Sequence, residues 1–165
     1  MTEILSVFAG LGKTTAAKKY AEVCDLQSSS HRYLGGVNQD YEKIKMNSSL
    51  PDNPDWPINY LRAIRGGAMG QYAVILVPSN PDVRNLLQGN DIDFTFVLPE
   101  KTDSFRERLR KLYVGRSNNQ AMIDAVMGYF DTWSRNPVDY DYRIEVLPEG
   151  KYLEDLLLDM RLVKG

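Results

Sequence analysis

The sequence predicts an α/β fold in which helices cover both faces of a mostly parallel sheet. Five apolar runs alternate with segments of helical spacing along the 165 residues, and this order is typical of parallel strands joined by helical crossovers. The run YAVILV (72–77) is apolar without interruption, as expected of a central strand covered on both faces. We therefore expect a three-layer sandwich with a five-stranded sheet, built as a single domain over residues 1–165.

The first half of the chain supplies three of these strands. EILSVFA (3–9) has the composition of a buried strand, and a helix over 13–22 follows it. EVCDLQ (22–27) is a short second strand. A polar, irregular segment then leads to a helix that begins near Pro57, where proline suits a first turn, and that ends at Gly66-Gly67. The third strand is YAVILV.

The second half continues the alternation. Ser79-Asn80-Pro81 caps a short helix through Leu87, IDFTFVL (92–98) is a fourth strand, and TDSFRERLRKLY (102–113) has a helical apolar stripe. Apolar positions up to Trp133 predict a longer helix capped by Asn118 or Asn119. The last two elements, an alternating edge strand and an amphipathic helix, are YDYRIEV (140–146) and the segment 153–160.

Charge and composition narrow the function classes. The formal net charge is −2, which gives no general attraction to nucleic acid or to anionic membranes. Cys24 is the only cysteine, so neither an internal disulfide nor a thiolate metal cluster is expected. No apolar run reaches the roughly 20 residues of a membrane span, and the start does not read as a signal peptide. We expect a cytoplasmic protein that is monomeric or at most a weak dimer.

A glycine turn between the first strand and the first helix predicts a phosphate-binding site. A strand, a glycine turn and Lys-Thr at the start of a helix form the context of a Walker A motif. Glycines let backbone N–H groups face a phosphate, the lysine reaches the β- and γ-phosphates, and the threonine hydroxyl binds Mg²⁺. The predicted nucleotide-binding residues are Gly10, Leu11, Gly12, Lys13, Thr14 and Thr15.

Two features leave an alternative open. Val7 occupies the place where such loops usually begin with glycine, and no acidic residue follows the third strand before Asp82. The same residues can form a helix that simply starts after a glycine turn, with Lys13 in solvent. No N-K-x-D signature for guanine occurs either, which argues against a GTPase.

The chain resembles the P-loop nucleoside and nucleotide kinases, and more closely the small, mostly uncharacterised P-loop NTPases of bacteriophages. The resemblance lies in the short strand leading to Gly12-Lys13-Thr14, in the segment Asp25-Leu26-Gln27-Ser28-Ser29, in the strand ending Val77-Pro78-Ser79, and in an arginine-rich helix. It implies the strand order 2-3-1-4-5 and ligands at the carboxyl edge of the sheet. It also implies ATP and Mg²⁺ as cofactors and, for a phage protein, the host cytoplasm as the location.

Asp25 is the predicted substitute for the missing acidic residue. It ends the second strand, and kinases resembling shikimate kinase carry an acidic residue there. Asp25 can bind Mg²⁺ through water, together with Thr14, or accept the proton of the attacking hydroxyl. Gln27 stands where a second acidic residue is often found. The alternative is that Asp25 only forms a turn after its strand.

The resemblance also implies a lid over 101–120 and an acceptor-binding insertion over 31–60. Lid arginines neutralise charge on the transferred group and help to exclude water. Arg106 and Arg110 are four residues apart and therefore share a helix face, and Arg116 follows in the turn. We predict these three as catalytic residues beside Lys13 and Asp25. An ordinary charged surface helix is the alternative.

The acceptor is predicted to contact the hydroxyls of Ser28 and Ser29 and the guanidinium of Arg32. These residue types also suit a plain surface loop. The leading hypothesis is an ATP-dependent kinase, a transferase acting on a nucleoside, a nucleoside monophosphate or a similar small metabolite. The alternatives are a non-catalytic nucleotide-binding module, acting as a regulator or a nucleotide sink, and a polynucleotide end kinase, which the acidic charge balance disfavours.

Overall fold

The sheet has five strands, and all of them are parallel. The computed structural model describes residues 1–34, 51–70, 72–116 and 119–165. In chain order its strands are β1 (Glu3–Val7), β2 (Val23–Asp25), β3 (Val74–Pro78), β4 (Thr95–Pro99) and β5 (Arg143–Leu147). They lie in the order β2-β3-β1-β4-β5, and every neighbouring pair is parallel. The predicted α/β class and strand order are confirmed.

Seven α-helices connect or follow these strands in the described part of the chain. Only the last of them has no strand after it. A short 3₁₀ helix, Pro137–Asp139, precedes β5. The helices are α1 (Lys13–Lys19), α2 (Ser29–Arg32), α3 (Ile58–Ala68), α4 (Pro81–Gly89), α5 (Asp103–Arg116), α6 (Gln120–Thr132) and α7 (Leu153–Asp159). Among the helices described here, none has the length and apolar character needed to cross a membrane.

The core lies on both faces of the three inner strands. Every residue of β3 and β4 is buried, and in β1 only Glu3 is partly exposed. Because side chains alternate between the two faces of a strand, both faces of the sheet must be covered. β5 differs, since Arg143 is exposed while Ile144 is buried. This is the edge strand that the alternation in the sequence predicts.

Several element boundaries differ from the prediction by a few residues, and two differences flank β2. α1 ends at Lys19 rather than at residue 22, because Tyr20 takes an extended conformation and is buried, with only 6% of its surface exposed. A short helix, α2, occupies part of the segment predicted as irregular, and the carbonyl of Ser28 accepts the N–H groups of His31 and Arg32. Of the insertion predicted over 31–60, residues 35–50 lie outside the described residues.

α5 and α6 pack against the end of β1, where the glycine turn begins. Phe8 makes edge contacts with Phe130 and Trp133, with ring centroids 6.3 and 5.7 Å apart. A Cβ placed on Gly10 would lie 3.0 Å from Leu109. α5 is held by three buried side chains, since Leu109, Phe105 and Tyr113 are at most 5% exposed. The body of the helix predicted as a lid is therefore part of the core.

Candidate functional site

A cleft of about 900 Å³ opens at the carboxyl ends of β1 and β3. Its floor is the segment 8–16, which contains all six residues predicted to bind the nucleotide. Residues 78–80 at the end of β3 form a second side, and α5, α6 and α7 supply the others. In parallel α/β sheets this edge is where ligands bind. This cleft and the predicted phosphate loop therefore coincide.

The two glycines of the loop have backbone conformations that only glycine adopts readily. The φ angles are +80° at Gly10 and +98° at Gly12, in the left-handed region that costs other residues energy. At Gly12 an added Cβ would meet no atom within 4 Å, so the constraint there is conformational. Gly12 is also the N-cap residue of α1. The chain thus turns sharply from β1 into the helix, as a phosphate cradle requires.

The Lys13 side chain folds back over the loop. Its Nζ donates a hydrogen bond to the carbonyl oxygen of Val7, 3.1 Å away. The ammonium group is thereby held at the mouth of the glycine turn rather than extended into bulk solvent. This position is compatible with the predicted role of the lysine in binding a phosphate, which stays a prediction. Val7 contributes through its carbonyl, a role that needs no glycine.

Thr14 and Asp25 meet at the edge of the cleft. The Thr14 hydroxyl donates to a carboxylate oxygen of Asp25 across 3.2 Å, although the residues are on different elements. A hydroxyl and a carboxylate are oxygen ligands of the kind Mg²⁺ prefers, and Mg²⁺ usually takes only one or two protein ligands besides water and phosphate. The two residues predicted to bind the metal therefore fit that role. In the described part of the chain, no larger cluster of possible metal ligands occurs.

The beginning of α7 is tied to the phosphate loop, a connection that the sequence analysis missed. The N–H of Leu153 donates to the carbonyl of Leu11 at 2.9 Å. The Glu154 carboxylate accepts from the Lys19 ammonium and from the Tyr20 hydroxyl, and the hydrogen bond from Lys19 lowers the pKa of Glu154. Glu154 also lines the cleft. In the sequence, the signal for this contact is an acidic residue near the start of a leucine-rich helix.

The three predicted lid arginines do not share one environment. Arg106 forms a paired contact with Asp131 at 2.8 and 3.0 Å, and these hydrogen bonds lower the pKa of that carboxyl. Arg110 pairs with Glu107 at 2.6 Å. Neither arginine is among the cleft residues, whereas Arg116 is. The structure thus brings one of the three to the cleft. A catalytic role was predicted for all three and is untested, and these contacts favour Arg116 over Arg106 and Arg110.

Arg108, which is not one of the three predicted arginines, contacts a residue that lines the cleft. Its guanidinium stacks between the rings of Phe105 and Tyr152, 4.5 and 4.6 Å from the centroids. Tyr152 in turn lines the cleft. Stacking of this kind holds an arginine without neutralising it. Spacing along a helix cannot identify such a contact, because the partner comes from 44 residues away.

These environments predict a contrast between two single variants. We expect Arg110→Ala to leave turnover within about two-fold of the wild type, because exposed ion pairs such as Arg110–Glu107 contribute little. Arg116→Ala should lower turnover by roughly ten-fold or more, because a cation beside the transferred charge acts mainly in the transition state. The measurement is turnover at saturating nucleotide. A larger loss for Arg110→Ala than for Arg116→Ala would contradict the assignment.

The predicted acceptor residues lie beside the cleft rather than in its lining. Ser28 and Ser29 are buried, with 7% and 5% of their surfaces exposed. The hydroxyl of Ser29 has no hydrogen-bond partner in the structure. Arg32 pairs with Asp82 at 3.5 Å and lies over the ring of Trp56. Binding of an acceptor by the three predicted residues stays a prediction, and among the described residues of this region only Gln27 lines the cleft.

A buried tyrosine fixes the chain between β2 and α2. The Tyr60 hydroxyl donates to the carbonyl of Leu26 at 2.6 Å, and burial raises the pKa of that hydroxyl well above its usual value. It therefore stays protonated and keeps donating. Tyr60 also packs against the ring of His31. The segment that follows Asp25 is thus held against α3, which favours a fixed position for Asp25.

The comparisons with known proteins add no family to this geometry. No protein-family model matches the chain, and no curated protein matches it. The residues of the cleft are therefore the basis for the function proposed below.

Proposed function

We propose that this chain is a P-loop kinase that transfers the γ-phosphoryl group of ATP to a nucleoside, a nucleoside monophosphate or a similar small metabolite. The observation that carries the proposal is the contact between Thr14 and Asp25 beside a glycine turn that holds the Lys13 ammonium. The proposal is supported by a glycine turn and a lysine in the cleft, with a hydroxyl and a carboxylate of the kind that Mg²⁺ prefers in contact at its edge. Membership of the P-loop kinase group is part of the proposal.

Residues in the cleft and at its edge have distinct roles in the proposed transfer. Backbone N–H groups of the loop and the Lys13 ammonium bind the β- and γ-phosphates. Thr14 and Asp25 would hold Mg²⁺, which would supply positive charge to neutralise the phosphate oxygens. Because Thr14 donates to Asp25, we assign Asp25 to the metal rather than to proton abstraction. Arg116 lies at the cleft, where it would neutralise charge that develops on the transferred group.

The transfer itself is a substitution at phosphorus. The acceptor oxygen forms a bond to the γ-phosphorus, and the bond from that phosphorus to the bridging oxygen breaks, so that ADP leaves with the electron pair. The hydroxyl proton passes to an oxygen of the transferred group and then to water. Phosphoryl transfer of this loose kind depends on positioning and charge neutralisation more than on a strong base. The cleft residues named above supply both.

A non-catalytic nucleotide-binding module is the second candidate. It is favoured by the end of β3, where Pro78, Ser79 and Asn80 provide no carboxylate for the metal. A protein of this kind would bind ATP and act as a regulator or a nucleotide sink. A polynucleotide end kinase is disfavoured by the net charge of −2, because binding a phosphate backbone draws on many cations.

The experiment that tests the proposal measures ADP formation from Mg-ATP against a panel of nucleosides and (deoxy)nucleoside monophosphates. ADP whose formation depends on one panel member supports the kinase and identifies its acceptor. Tight ATP binding with no turnover on any member would replace the kinase by the binding module. A single-stranded oligonucleotide in the same panel, tested at two salt concentrations, covers the end-kinase alternative. Absence of ATP binding would refute the phosphate site.

A further inference from the structure

The side chain of Asn80, at the edge of the cleft, lacks the hydrogen bond that its position before a helix predicts. It precedes α4, and asparagine at this position normally uses its side-chain oxygen to cap the helix. Asn119 and Asn136 do so, accepting from Met122 and Val138 at 3.3 Å. Asn80 makes no such cap. Its oxygen is buried and has no hydrogen-bond partner in the structure.

The backbone beside Asn80 is firmly held. Arg84 is buried, with 7% of its surface exposed, and its Nε donates to the carbonyl of Ser79 at 2.8 Å. The guanidinium stacks on Phe96 and on Trp133, 4.2 and 4.6 Å from the ring centroids. Arg84 therefore holds the backbone carbonyl just before Asn80, while no hydrogen bond to its side-chain oxygen holds the Asn80 side chain. A buried oxygen without a partner is an unfavourable state, so a rotation that gains a donor is favourable.

The position of Asn80 indicates which donor it would meet. On one side is the phosphate loop, because Pro78 pairs with Val7 in the sheet. On the other side is the predicted acceptor segment, because Arg32 contacts Asp82 in the first turn of α4. Asn80 lines the cleft between the two. Under the proposed function, an acceptor hydroxyl that attacks a phosphate bound in the loop would approach it through the same cleft.

We propose that the side-chain oxygen of Asn80 accepts the hydrogen bond of the attacking hydroxyl and so orients the acceptor. The inference rests on the proposed kinase function and adds a residue that the sequence analysis used only as a cap. A neutral amide oxygen cannot take up the proton, so Asn80 aims the hydroxyl, while bond formation and proton transfer proceed as described above. Correct orientation of a reacting group raises the reaction rate by about 100-fold.

Two variants of similar size separate this role from a structural one. Asn80→Leu removes the oxygen, whereas Asn80→Asp keeps an oxygen acceptor in the same place. We expect Asn80→Leu to lose about 100-fold in turnover and Asn80→Asp to stay within roughly ten-fold of the wild type. Affinity for Mg-ADP, measured by calorimetry without an acceptor, should change little in Asn80→Leu. Its melting temperature without ligand should be equal to or above that of the wild type.

Other outcomes would overturn the inference. A lower melting temperature of the ligand-free Asn80→Leu protein would show that the oxygen stabilises the fold. Equal turnover of both variants, whether high or low, would show that the oxygen does not select the acceptor geometry; the kinase function would then stand alone. If the wild-type protein binds Mg-ADP but phosphorylates no acceptor, the proposed function and this inference fall together.

Discussion

Lys13→Ala is expected to lose acceptor-dependent ADP formation by roughly 100- to 1,000-fold, the range for removing a preorganised charge-stabilising group. The Lys13 ammonium donates a hydrogen bond to the Val7 carbonyl. It is the cation that the motif supplies beside the glycine turn. Without it, charge that develops between the β- and γ-phosphates has no neutralising partner from α1. Turnover measured at saturating ATP separates this loss from weaker binding.

Lys18→Ala is the matched control, since Lys18 is an exposed residue of the same helix and is not among the cleft residues. Its turnover should equal that of the wild type. Circular dichroism and melting temperature would verify that both variants fold. If Lys13→Ala kept full turnover in a folded protein, the assignment of the phosphate loop would be wrong.

Asp25→Asn is the second variant with a large expected effect. Asparagine has nearly the same shape and can still accept from the Thr14 hydroxyl, so the local structure should persist. The lost charge weakens the hold on Mg²⁺, because Mg²⁺ sites depend on one or two carboxylates. We expect turnover to fall roughly 100-fold, as for other charge-stabilising groups, with a much smaller change in ATP affinity. The Mg²⁺ concentration for half-maximal turnover should rise.

The control for this variant is Asp93→Asn, an exposed residue just before β4 and therefore at the opposite edge of the sheet. Its Mg²⁺ dependence should match that of the wild type. An equal loss of ATP affinity and turnover in Asp25→Asn, together with a lower melting temperature, would instead make Asp25 a structural residue. Nucleotide affinity is best measured with ADP, so that turnover does not interfere.

The backbone of the site could be predicted because it depends on local signals. A glycine turn between a strand and a helix has a left-handed φ at Gly10 and Gly12, and the motif alone specifies both. The strand at 72–77 is apolar throughout, which already indicates burial on both faces. Asp25 ends the strand beside β3, and from there its carboxylate reaches Thr14. The residues that form the loop are close in sequence, so a sequence motif can identify them.

The side chains that surround the loop could not be predicted in the same way. Helical spacing placed Arg106 and Arg110 on one basic face, but Asp131 and Glu107 pair with them. Helical spacing likewise gave no reason to choose Arg108, whose partner Tyr152 lies 44 residues away. The sequence around a charged residue on a helix does not show which residue will pair with it or stack on it.

The sequence by itself determined the α/β class, the burial of the inner strand β3 on both faces and the glycine turn with Lys13, because each depends on neighbouring residues. The tertiary structure alone decided which polar groups face the cleft. It placed Arg116 and Glu154 there and left the Asn80 oxygen buried and without a partner. These outcomes depend on contacts between elements far apart in the chain, and packing, rather than local pattern, selects such contacts.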